Sequence, residues 1–158
     1  MRYLIYKRKL LKAALVFASF ILACNAPSAS LATGSNEEAA KGIQFIEDDW
    51  NKALSLAKAQ HKPIFIDIYA TWCGPCKMLK RNTFTNAKAG EFFNSNFINI
   101  SVDGEKGVGP QLATQYRLEG YPTLIIADEN GKAISYTVGY IPVNTLLDFG
   151  KDALKKKQ

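Results

Sequence analysis

The sequence predicts an α/β fold: a central mixed β-sheet with helices on both faces. Two patterns predict it. Apolar runs of strand length at 64–69, 97–102 and 123–127 alternate with stretches of helical period, which is the signature of strands joined by crossover helices. The last strand is then followed by a turn at Glu129-Asn130-Gly131 and a partner run at 133–138, so the sheet finishes in a hairpin and carries both strand directions.

Each element has a local reason. Residues 42–46 alternate and read as a short strand. Asp48 or Asp49 can cap a helix starting near Trp50, where Trp50, Ala53, Leu54 and Ala57 make an apolar stripe that ends before His61-Lys62-Pro63. After the strand at 64–69, a helix is expected from the Cys-Gly-Pro-Cys turn to about Asn82 and a second helical piece over 87–94, holding Phe92 and Phe93. The strand at 97–102 leads into a loop marked by Gly104, Gly107 and Gly109-Pro110, and 111–116 reads as a short helix. Pro142 opens a last amphipathic helix to about Lys155, with Val143, Leu146, Leu147 and Leu154 expected inward. Trp50, Phe84, Phe92, Phe93 and Phe97 read as core, and His61, the only histidine, as a surface residue.

Of the formal charge of +6 over 158 residues, five charges are carried by the N-terminus. Residues 1–32 hold Arg2, Lys7, Arg8, Lys9 and Lys12 and no acid; without those five, 15 basic residues face 14 acidic ones, and nucleic acid is not an expected partner. A basic start, an apolar run at 13–23 too short to span a bilayer, and small residues after it describe a signal peptide over 1–32. Two exits are expected. Ile21-Leu22-Ala23-Cys24 resembles a lipobox, in which the signal ends before a lipidated Cys24; alternatively, cleavage follows Ser30-Leu31-Ala32. Residues 25–41 read as a flexible tether, of which 33–41 remain after the second cut, and 42–158 as the folded domain. The expected product is an exported, periplasmic protein, lipid-anchored or free, and monomeric, whose only free-standing cysteines are Cys73 and Cys76.

The chemistry sits in Trp72-Cys73-Gly74-Pro75-Cys76-Lys77, between a strand and a helix. Two cysteines three positions apart in the first turn can form a disulfide, and the positive end of a helix favours a thiolate. Cys73, nearest that end, is assigned the attack, and Cys76, one turn in, the less exposed resolving role. Pro75 fits the first turn, and Gly74 lets a partner backbone approach. Asp67 interrupts the apolar strand six positions before Cys73; burial raises a carboxyl's pKa, so it can hold or pass a proton near Cys76, unless alternation turns it to solvent. Tyr121-Pro122-Thr123 heads a strand, where a proline is either cis or an ordinary trans turn. Tyr69 and Trp72 flank the turn as an apolar rim. A plain structural disulfide, a zinc site and a Cu(I)-carrying dithiol are alternative uses of the cysteine pair. The first closes too short a loop to stabilise much. Zinc needs two further ligands, of which only His61 is an obvious one, and no metal or cofactor is expected.

Trp72–Lys77, Asp67 and Tyr121-Pro122-Thr123 together resemble the thioredoxin family. The likeness covers most of 43–155, including Asn130-Gly131 and Gly139, and 45–80 looks most like the C-terminal thioredoxin-like domain of the bacterial periplasmic thiol:disulfide interchange protein DsbD. The resemblance implies the thioredoxin fold, Cys73 as nucleophile, Cys76 as resolver, Asp67 as proton carrier and Pro122 in cis. It also implies a protein-disulfide substrate bound along Trp72, Gly74, Pro75, Tyr121 and Pro122, and a membrane thiol carrier as electron donor. Thioredoxins place a lysine near the buried aspartate; the matching place here is expected at Asn99. Tyr121 resembles the corresponding residue of disulfide isomerase domains.

Overall fold

The computed structural model describes residues 42–156. The segments expected as an export signal and a tether, with Cys24, lie outside the described residues. Five strands and five helices follow in the order β1 (Ile46–Glu47), α1 (Trp50–Gln60), β2 (Ile64–Tyr69), α2 (Gly74–Met78), α3 (Ala87–Asn96), β3 (Ile98–Asp103), α4 (Gly109–Gln115), β4 (Thr123–Ala127), β5 (Ala133–Val138) and α5 (Val143–Lys156). They build one sheet in the order β1-β3-β2-β4-β5, with β1, β3 and β2 parallel and β4 and β5 antiparallel to their neighbours. This is the mixed sheet the alternation predicts. Among the described residues no helix is long and apolar enough to cross a membrane.

The strand period of two divides the core. Ile64, Ile66 and Ile68 point to one face, where they pack with Trp50, Ala53 and Ala57 of α1 and Leu112 of α4. Phe65, on the opposite face, packs with Leu79, Phe84, Phe93 and Phe97 and with Leu146 and Ala153 of α5. Asp67 has the parity of Phe65 and therefore points beneath the cysteine-bearing helix instead of toward solvent; it is 1% exposed. A two-residue register argument thus decides between the two readings of Asp67.

Three local expectations are corrected. The strand expected over 42–46 is reduced to Ile46–Glu47. Asn94 takes the hydrogen bonds a neighbouring strand would have used: its Oδ1 accepts from Gln44 N at 2.9 Å and its Nδ2 donates to Gly42 O at 3.2 Å. The helix after the cysteines widens at Leu79–Thr83 into a π-helical turn, closed by Phe84 N donating to Leu79 O at 2.9 Å. In α5 the buried positions are Leu146, Gly150 and Ala153, with the expected Val143 and Leu154 and also Phe149 packed on the core; Leu147 is not among them. Gly150 is there because Phe92 and Phe93 leave no room: a Cβ would meet their rings at 2.6 and 2.9 Å. Between Asp48 and Asp49, Asp49 caps α1, accepting from Lys52 N at 3.0 Å, while Asp48 Oδ1 accepts from Asp103 N at 2.8 Å and ties the start of α1 to the end of β3.

Candidate active site

Cys73 is the N-cap of α2, and its Sγ accepts a hydrogen bond from Cys76 N at 3.1 Å. Pro75 lies in the first turn, where its missing N–H leaves no helical bond unmade. A sulfur in this position receives both a backbone donor and the positive end of the helix, and each favours the thiolate over the thiol. The two cysteines are joined as a disulfide, Cα to Cα 5.3 Å. Their expected difference in exposure is corrected: both are 2% exposed. Cys73 and Cys76 pack with Ala70 and are flanked by Tyr69 and Tyr121, so burial does not distinguish the two sulfurs, whereas the cap position does.

Tyr121, at the head of β4, precedes Pro122 in a cis peptide bond, the isomer the resemblance implies. The Tyr121 ring lies over Gly104, whose missing Cβ leaves it space, since a Cβ there would stand 2.6 Å from Cε1. Trp72 is 66% exposed and meets Tyr121 edge-on, with centroids 6.0 Å apart. Its indole Nε1 donates to both carboxylate oxygens of Glu105 at 3.1 Å. Space above Gly74 is open. Gly139 N donates to Pro122 O at 2.8 Å, which ties the end of β5 to this loop. An exposed aromatic rim and an open glycine therefore stand around a nearly buried disulfide.

Asp67 Oδ2 accepts from Ser101 Oγ at 3.0 Å, and Oδ1 has no hydrogen-bond partner among the described residues. Burial pushes the Asp67 carboxyl up to about 6; the Ser101 hydroxyl and the Lys80 ammonium pull it down, and Glu47 adds to the rise. A carboxyl with that value changes charge near neutral pH, as a proton carrier must. Asn99 does not hold the expected place. The register sets it opposite Phe65, and its Nδ2 donates to Gln44 O and Asn94 Oδ1 at 3.2 and 3.1 Å. Ser101 is the residue opposite Asp67.

A family model described as a thioredoxin-like domain matches residues 50–154. The chain belongs to the thioredoxin-like family. Thioredoxin Y2 of Arabidopsis thaliana is 32% identical over 109 residues, covering 69% of this chain and 62% of the relative. The thiol:disulfide interchange protein DsbD of Pseudoalteromonas atlantica is 29% identical over 110 residues, covering 67% of this chain and 18% of that protein. This chain therefore spans less than two thirds of the length of either. A solution structure from Bacteroides thetaiotaomicron, described as a candidate disulphide-isomerase, superposes with a TM-score of 0.65 at 35% identity, covering 73% of this chain and 95% of that one. This thioredoxin-like chain carries the Cys73–Cys76 disulfide of a thiol:disulfide oxidoreductase family.

The sequence singled out Cys73, Cys76, Asp67, Trp72, Gly74, Pro75, Tyr121 and Pro122. Ser101, Lys80, Glu47 and Glu105 were missed. Ser101 did carry a signal: Asn99, Ser101 and Asp103 alternate with apolar residues in one strand, so three polar side chains share a face. Lys80 stands one helical turn after Cys76. Glu105 is placed only by the loop after β3 and has no local signal.

Proposed function

We propose that this protein is an exported thiol:disulfide oxidoreductase that works mainly as a reductant of disulfides in extracytoplasmic proteins. The observation that carries the chemistry is the Cys73 sulfur at the helix cap, accepting the Cys76 N–H with Cys76 one turn behind it. In the reducing direction the Cys73 thiolate attacks a substrate disulfide, one substrate thiolate leaves, and a mixed disulfide forms. The Cys76 thiol, deprotonated by Asp67, attacks the Cys73 sulfur, the second substrate thiolate leaves, and Cys73–Cys76 closes. The substrate gains two electrons and the dithiol loses two. Trp72, Gly74, Pro75, Tyr121 and Pro122 form the substrate surface, with the backbone of residue 121 offered to an extended peptide.

Gly74-Pro75 between the cysteines supports the reducing direction, because thioredoxin, at about −270 mV, has this pair and the oxidant DsbA lies at about −120 mV. A reductant outside the cytoplasm needs electrons, so a membrane thiol carrier regenerates it, and the likeness to DsbD supports this. The N-terminal segment supports export, with a signal ending before Cys24 or after Ala32. Equilibration with glutathione tests direction: a potential near the thioredoxin value is expected, and one near that of DsbA replaces the reductase by an oxidase or isomerase. Cys76→Ser is expected to trap mixed disulfides on Cys73, and Cys73→Ser to trap none.

A further inference from the structure

Glu47, Ser101 and Asp67 stand in one row across β1, β3 and β2: the register pairs Glu47 with Ser101 and Ser101 with Asp67. The row runs from the exposed Glu47 at the sheet edge to the buried Asp67, with the Ser101 hydroxyl on the Asp67 carboxylate between them. A cavity of about 450 Å³ opens over it, lined by Glu47, Ser101 and Lys80. A second cavity, of about 230 Å³, reaches Cys76 and is lined by Tyr69, Lys77 and Lys80. Lys80 lines both. Its Nζ rests 3.3 Å from the centroid of the Tyr69 ring, which holds the ammonium between the sulfur side and the carboxylate side. The Lys80 charge acts on Glu47, Asp67 and Asp103 together.

We propose that this row is the proton route of the resolving step, with Ser101 passing the proton between Asp67 and the cavity and with Glu47 and Lys80 as positioning residues of opposite sign. The inference rests on the proposed use of Asp67 as base for Cys76. In the step, the Cys76 proton moves to Asp67 as the new sulfur–sulfur bond forms, and the bond from Cys73 to the substrate breaks with its electron pair on the departing thiolate. The protonated Asp67 then donates to Ser101 Oγ, and the hydroxyl releases its own proton into the cavity beside Glu47; a hydroxyl can accept and donate at once. The groups facing Asp67 are Lys80 from the π-helical turn, Glu47 from β1, Ser101 from β3 and Tyr69 on its own strand, with Asp48 and Asp103 farther along the same edge. The cation favours an ionised Asp67, and the Glu47 carboxylate disfavours it.

The test uses the reduced protein and dithionitrobenzoate. The first thionitrobenzoate released reports attack by Cys73 and the second reports resolution by Cys76, each followed against pH by stopped flow. Lys80→Met is expected to move the midpoint of the second phase up by about half a pH unit or more and Glu47→Gln to move it down by a similar amount. Lys80→Arg keeps the midpoint, and Ser101→Ala slows the second phase while sparing the first. In an Asp67→Asn background both shifts vanish. Shifts that persist there show that the two charges act on the Cys76 thiol directly and overturn the route, as do shifts of the same sign or none. If Asp67→Asn itself leaves the second-phase profile unchanged, the reading of Asp67 as base falls, and the route with it.

Discussion

Asp67 shows how much one side chain can cost the fold. Its ordinary value of 3.8 is raised to about 6, first by burial. Between those values the folded chain binds the proton more tightly than the unfolded chain, so this residue's contribution to stability is complete below 3.8 and is lost as pH rises through 6. Above that window the ionised Asp67 costs the fold roughly 3 kcal/mol. Asp67→Asn in the oxidised protein is therefore expected to raise stability at pH 7.5 by an amount of that order, with the gain fading toward pH 3.5, as urea unfolding at the two pH values would measure. A gain equal at both would show that the effect is packing and not charge. Glu105 makes a different kind of contribution. It holds an exposed indole beside the cysteines with a pair of 3.1 Å hydrogen bonds. Glu105→Ala is expected to raise KM for a protein disulfide roughly 2–5-fold, the worth of about one hydrogen bond, with the rate toward a small aromatic disulfide unchanged.

At the scale of elements, polar side chains substitute for secondary structure at one edge. Asn94 serves Gly42 O, Gln44 N and Asn99 Nδ2 at once, so the residues before β1 are held by an α3 side chain instead of a ladder. Asn94→Ala is expected to cost about 1–3 kcal/mol, and amide exchange at Gln44 and its neighbours should speed up more than in β2 or β4. Uniform acceleration across the sheet would count against this local account. On the opposite side of that helix, Gly150→Ala places a methyl group 2.6 Å from the Phe92 ring, and a loss of about 1–3 kcal/mol in thermal or urea unfolding is expected as α3 and α5 separate. A neutral result would show that the rings yield. Both elements also show where the sequence stops being legible. The alternation of 42–46 resembles a strand because period-two patterning does not record which group takes the hydrogen bonds. Leu147 reads as inward because helical period alone does not reveal that Phe92 and Phe93 reserve the inner face for a residue without a side chain.

Across the whole molecule, the parts legible in the sequence are those whose signal is local and repeated. The runs at 64–69 and 123–127 become strands at those limits because their apolar residues are buried on the sheet whichever helix covers them, and 133–138 does so because the turn before it folds it back onto β4. The cysteine turn, Asp67 and Pro122 are legible because each breaks its surroundings in a way that costs energy unless it is used. What was not legible depends on register. Ser101 bonds Asp67 and Glu47 stands in line behind it only because three strands align to the residue, and Lys80 acts on it by charge from the π-helical turn. The charge distribution gives the last prediction. Five of the six net positive charges of the full chain belong to residues 1–32, and the rest is near neutral, with 15 basic residues against 14 acidic. If those residues are an export signal, a protein recovered from the periplasm of a bacterial host has an intact mass that begins at Cys24 with added acyl chains or at Thr33 without them. The Thr33 form is expected to leave a cation exchanger at low salt, since too little net charge remains to hold it. Cys24→Ala separates the two exits: it abolishes detergent partitioning in the first and changes nothing in the second. A recovered chain that retains Met1 and binds the exchanger strongly removes export from the proposed function while leaving the dithiol chemistry intact.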